Sequence, residues 1–137
     1  MTVTVVALLS DQCYWCERLL SIWDKVKEEL IKVNPTVNII KIIVKNKIIP
    51  SPYPKQLLTY YEYWQPMILL IRDEDWTKLK NVEVMNGTMI NGQMEWTSKY
   101  DTTKPEMFGK WLKGVNDAPI IPFINKCQNL LNLSTRF

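Results

Sequence analysis

The chain contains no histidine. That absence removes Ser-His-Asp and Cys-His catalysis, imidazole metal ligands and imidazole acid–base chemistry. Cysteine, carboxylates, lysine, tyrosine and the backbone are left to carry any reaction. Cysteine itself is scarce. Cys13, Cys16 and Cys127 make an odd three, whereas secreted disulfide scaffolds carry denser, even sets. No run approaches the ~20 apolar residues of a membrane helix, so no membrane partner is expected. The apolar start, residues 1–9, lacks a basic stretch before it and a small-residue cleavage site after it. It predicts a buried first strand and not a signal peptide, and the expected compartment is the cytoplasm. Neither sign of charge dominates: 17 Lys and Arg face 14 Asp and Glu, a net +3. Without dense basic clusters, nucleic acid is not an expected partner.

What is present fits one packed domain: 137 residues, 47% hydrophobic and 23% charged. Residues 3–9 are β-branched and aliphatic without interruption, as in a strand covered on both faces. Ser10-Asp11-Gln12 breaks the run. From Cys13 to Val33 the apolar residues Cys16, Leu19, Leu20, Trp23, Val26 and Leu30 recur at helical spacing. One long helix is expected there, stopped by Asn34-Pro35. Residues 37–44 predict a second buried strand, parallel to the first through a βαβ crossover. Pro50, Pro52 and Pro54 make an extended loop, and residues 55–63 predict a short aromatic helix. Met67 to Ile71 follows Pro66 as a third strand, ended by the acidic turn Asp73-Glu74-Asp75. Val82 to Met85 predicts a fourth, turning at Asn86-Gly87 into a return strand at residues 88–90, with Asn91-Gly92 as a further turn. Lys104-Pro105-Glu106 opens a last helix with Met107, Phe108, Trp111 and Leu112 on one face, ending near Gly114 and Asn116. Trp23 and Trp111 are expected in the core.

The motif that carries chemistry is Cys13-Tyr14-Trp15-Cys16, between a strand and a helix. Two cysteines three apart in a helix's first turn approach closely enough to form a disulfide. The first sits where free backbone N–H groups and the positive end of the helix dipole favour a thiolate, the attacking form. The second, one turn deeper, is placed to resolve a mixed disulfide. On this reading Cys13 is the nucleophile and Cys16 the resolver, and no metal or organic cofactor is required. Two other readings fit the spacing. One is half of a zinc site, which needs four ligands and here would have to borrow carboxylates or a second chain. The other is a pair of incidental core cysteines.

A second feature is Trp64-Gln65-Pro66 leading directly into Met67-Ile68-Leu69-Leu70-Ile71. With the cysteine pair and the order of elements from Thr2 to about Gly114, the sequence resembles the thioredoxin superfamily. The resemblance implies an α/β fold in which helices flank a central mixed sheet of four or five strands. Residues 1–116 would form the thioredoxin-like domain; from the residues themselves, 117–137 read as a C-terminal extension, either a helix packed on that domain or a flexible appendage. The resemblance also implies redox positions for Cys13 and Cys16, a cis-proline at Pro66 and substrate contact at Gln65. Tyr14, Trp15 and Trp64 join that expected substrate surface. Tyr60, Tyr61 and Tyr63 fit either the same rim or a buried aromatic cluster. Read without the resemblance, Pro66 also fits a strand-start proline in trans. Residues 99–108 resemble the approach to the last helix of thioredoxin and protein disulfide isomerase domains.

The sequence departs from the family at several positions. Gln12 stands where thioredoxins carry Trp, and Tyr14-Trp15 where they carry Gly-Pro. Ala7 occupies the place of a buried acid that assists proton transfer. The aromatic insert is similar to that of glutaredoxins. Their residues before the proline and their paired glycines are missing, so glutathione is not the expected partner. The expected function is disulfide exchange with protein thiols and disulfides. The rivals are a thioredoxin-like binding module with little turnover and a zinc-bridged oligomer. Cys127 is expected to be an unpaired helix residue. Abundant Asn, Ile and Lys fit an AT-rich genome, including that of a large DNA virus, in which case the compartment would be the virion or host cytoplasm.

Overall fold

The computed structural model describes residues 2–79 and 81–117. The expected extension beyond Asp117, Cys127 included, lies outside the described residues. Six strands form one open mixed sheet: β1 (Val3–Ser10), β2 (Asn38–Val44), β3 (Met67–Arg72), β4 (Glu83–Val84), β5 (Gly87–Ile90) and β6 (Gln93–Trp96). Among the described residues four α-helices accompany it: α1 (Tyr14–Ser21), α2 (Trp23–Val33), α3 (Leu57–Tyr61) and α4 (Pro105–Asp117). The strand order is β2-β1-β3-β4-β5-β6. β1 and β2 run parallel, with Thr4 beside Asn38 and Ser10 beside Val44. β3 runs antiparallel to β1, with Leu8 beside Met67. The C-terminal ends of β1 and β2 and the start of β3 therefore meet at one end of the sheet.

β1 and β3 are apolar on both faces because both faces are covered. Val5, Ala7, Leu9, Ile68 and Leu70 pack with Leu19, Val26, Leu30, Phe108 and Leu112 of α1, α2 and α4. Val6, Leu8, Met67, Leu69 and Ile71 point the other way, onto Ile42, Val44, Leu57 and the tyrosines of the α3 region. Trp23 and Trp111 are buried in the first of these clusters. α2 and α4 cross closely at Gly109, where a Cβ would lie 3.2 Å from the Glu29 carbonyl oxygen.

Three details differ from the sequence reading. The expected single helix is two, divided at Ile22 (φ −111°, ψ 8°). The Ser21 hydroxyl donates to the Arg18 carbonyl at 2.6 Å, and the Ile22 N–H bonds back three residues to Leu19. A local side-chain bond thus competes with the regular ladder. The sheet has six strands, not four or five. Asn91 (φ 51°) and Gly92 (φ 77°) form a tight hairpin turn, and β6 returns along β5 with Gly87 beside Trp96 and Ile90 beside Gln93. Finally, α4 continues past Gly114 to Asp117. A Cβ at Gly114 would sit 3.3 Å from the Tyr100 hydroxyl, so this glycine admits a neighbour instead of ending the helix.

Candidate functional site

The end of β1 hands the chain to Cys13, the N-cap of α1, with extended backbone (φ −139°, ψ 120°). Its sulfur accepts the Cys16 N–H at 3.1 Å, taking the place of an oxygen cap. That contact satisfies one of the backbone N–H groups left free at the head of α1. Cys13 is half-buried and Cys16 is 1% exposed. Both are free, and the two residues come within 2.6 Å of each other.

Cys16 faces inward because it lies one turn along α1, in the apolar cluster that contains Ala7 and Leu19. Burial pushes its thiol up from an ordinary 9.0 to about 12. The hydrogen bond and charge of Cys13 add to the rise, and the Ser10 N–H, donating to the Cys16 sulfur at 3.4 Å, opposes it. A buried anion in apolar surroundings loses hydration that a single N–H cannot replace.

The second wall comes from 52 residues away. The Cys13 thiol donates to the Gln65 carbonyl at 3.6 Å, a long contact of the kind that sulfur makes. The Gln65–Pro66 bond is cis, and Pro66 is buried at the head of β3. The Gln65 side-chain amide donates to the Tyr61 carbonyl, fastening this loop to α3. Pairing of β3 with β1 is what brings the Gln65 backbone to the cysteines.

Around the sulfurs the surface is aromatic. Tyr14, Trp15 and Trp64 are 63%, 48% and 57% exposed. Tyr14 sets its ring edge-to-face on Trp15, with centroids 5.2 Å apart. A groove of about 700 Å³ is lined by Trp15, Trp64 and Pro66, from α1 and the approach to β3, and by a second wall segment, Trp96, Tyr100 and Asp101, from β6 and the approach to α4. The four neighbouring aromatics divide: Tyr60, Tyr61 and Tyr63 pack against the core, and only Trp64 lines the groove.

The far wall was not singled out in the sequence. Its mark was an exposed-type tryptophan just after a hairpin turn, four residues before Tyr100. Asn86 holds it in place: the side-chain amide donates to the Tyr100 carbonyl at 2.6 Å, and the Tyr100 N–H donates to the same side chain at 3.0 Å. Asp101 accepts from the N–H and hydroxyl of Thr103 at 2.9 and 2.6 Å, bonds that hold its carboxyl below the usual range.

Among the described residues, no three of Cys, His, Asp and Glu converge as a metal site would require, and no helix is long and apolar enough to cross a membrane. Compared with protein-family models, curated proteins and solved structures, the chain matches none of them.

Proposed function

We propose that the chain is a thiol–disulfide oxidoreductase of thioredoxin-like fold that exchanges disulfides with protein substrates through Cys13 and Cys16. The observation that carries this reading is the setting of one sulfur. Cys13 is partly open to solvent, receives a backbone N–H at the head of a helix, and lies against the carbonyl before Pro66. The element order also supports it: strand, cysteine-bearing helix, parallel strand, short helix, proline-led strand, hairpin, helix. That is the order the family resemblance implies.

In the forward direction the Cys13 thiolate attacks one sulfur of a client disulfide. A Cys13–client bond forms, the client's sulfur–sulfur bond breaks, and the departing client sulfur leaves as a thiolate that takes up a proton. Cys16, once deprotonated, attacks the Cys13 sulfur, and the second client sulfur departs. The client gains two electrons and two protons, and Cys13–Cys16 is left as a disulfide. A dithiol reductant returns the pair to its starting state, which suits a reducing, cytoplasmic setting.

Insulin reduction in the presence of dithiothreitol tests the reading. A rate above background that vanishes in Cys13→Ser supports it, and no rate above background refutes it. Cys16→Ser should in addition leave clients covalently held on Cys13.

A second reading, a binding module with little turnover, is favoured by one specific observation. Cys16 sits in an apolar cluster with its thiol pushed up to about 12, so the resolving step is slow at neutral pH. Retention of mixed disulfides by the unaltered protein over many minutes would favour that module.

A further inference from the structure

We propose that Trp96 and Asp101 are specificity determinants that select protein disulfides flanked by a bulky apolar side chain and, beyond it, a cationic one. The inference rests on the exchange chemistry proposed above and extends it to the choice of client.

The groove adjoins the reacting sulfur: of the residues that line it, Trp15 lies between the two cysteines in sequence and Pro66 follows the carbonyl that touches Cys13. A client joined to Cys13 therefore lays its neighbouring residues along Trp15, Trp64 and Trp96. At about 700 Å³ the space holds more than one large side chain. Trp15, Trp64 and Trp96 are each close to half exposed, an apolar surface left open to water. Aromatic walls of this kind bind apolar side chains by burial and by ring contact.

Charge decides the second position. Among the described residues that line the groove, Asp101 is the only one with a formal charge. Its bonds to Thr103 favour the ionised form, and they engage one carboxylate oxygen, Oδ1. Lys104 also acts on this carboxylate through its charge, but among the described residues no ion pair joins them and the other oxygen accepts no hydrogen bond, which leaves it to a client's cation. The wall is also built to hold its shape. The paired bonds of Asn86 fix the Tyr100 backbone, the Thr97 N–H bonds the Asn86 carbonyl at 3.0 Å, and the Tyr63 hydroxyl ties the hairpin tip at the Gly92 carbonyl at 2.6 Å. A rigid wall selects by shape and charge because little ordering is needed on binding.

The test uses symmetric disulfides of three short peptides, alike except at the two residues after cysteine: Phe-Arg, Ser-Arg and Phe-Glu. Turnover is followed by chromatography with dithiothreitol as the reductant and its background subtracted. Free cystine serves as a disulfide too small to span the groove. Burying one aromatic side chain predicts a kcat/KM for Phe-Arg about tenfold or more above Ser-Arg. An exposed charge pair predicts a preference of about threefold over Phe-Glu.

In Trp96→Ala the first ratio should fall below about three, and Trp96→Phe should restore most of it. In Asp101→Asn, which keeps an oxygen for Thr103, the second ratio should approach one. Equal rates on all three peptides, with cystine still reduced, overturn the inference and leave the exchange function standing. An unchanged first ratio in Trp96→Ala overturns the role of Trp96. Failure to reduce the peptides and cystine alike overturns the exchange function and the inference with it.

Discussion

If Cys13 exchanges disulfides as proposed, release of a client from it should speed up by close to tenfold for each unit of rising pH and show no plateau up to about pH 10.5, where an unperturbed thiol would have levelled off. The perturbation is pH itself, acting on Cys16. Burial raises that thiol from 9.0 to about 12. At pH 7.5 an unperturbed thiol is roughly 3% thiolate, and one at about 12 is roughly a thousandfold less ionised. A more basic thiolate is also a better nucleophile, which returns about 20- to 30-fold. The net effect is a resolving step up to about 50-fold slower than that of an ordinary thiol. In the mixed disulfide Cys13 carries no proton or charge, so its share of the rise disappears. Burial, the largest cause, persists. The sign follows directly: the thiolate reacts, neutral pH lies far below the raised value, and each unit of pH multiplies the reactive fraction. The assay loads Cys13 with a peptide thiol, jumps the pH between 7 and 10.5, quenches in acid with an alkylating reagent, and weighs the intact protein. A rate that is flat, or that levels off between pH 9 and 10, would refute the burial argument.

The same shift has a stability consequence. Folding favours the neutral Cys16 thiol, so its contribution is present below about pH 9 and is lost as pH climbs toward 12, by up to about 4 kcal/mol. Denaturant melts at pH 8 and 10.5 should show a larger loss for the wild type than for Cys16→Ala, and equal losses would contradict the assignment. Phe108, fully buried between α4 and the sheet, should cost about 3–5 kcal/mol on replacement by Ala. A urea melt showing less than 1 kcal/mol would disprove that packing role. Asn86→Ala removes both bonds to the Tyr100 backbone and should cost about 1–3 kcal/mol. It should also accelerate amide exchange at Tyr100, and unaltered exchange there would show that the wall is held by other contacts.

The closeness of the cysteine pair was legible because it is local. Cys13 and Cys16 are three residues apart, and a buried strand followed by a helical pattern puts both in a first turn whatever the rest of the chain does. The central strands were legible for a similar reason: β1 and β3 are buried on both faces, and their unbroken apolar runs record it. The break at Ile22 was hidden because it depends on a hydroxyl bond in the last turn of α1, while the apolar spacing from Leu19 through Trp23 to Leu30 reads straight across it. β6 was hidden because it is an edge strand with Gln93 and Glu95 in solvent, so period-two burial never forms a signal.

The groove shows why a site can be half readable. Its near wall belongs to the cysteine helix and the proline-led strand, and both announce themselves in the residue order. Its far wall exists only because the turn at Asn91-Gly92 reverses the chain, so that Trp96 returns opposite Gly87. From there residues 97–101 run back along the mouth of the sheet, where Asn86 takes hold of Tyr100. Nothing in the spacing from Cys13 to Trp96 encodes that meeting; the register of β3, β4, β5 and β6 does. Chemistry placed by a single turn of helix survives small changes in such registers. Selectivity placed by three successive strand pairings does not. Loosening the hairpin should therefore erode the choice of client before it erodes exchange at Cys13.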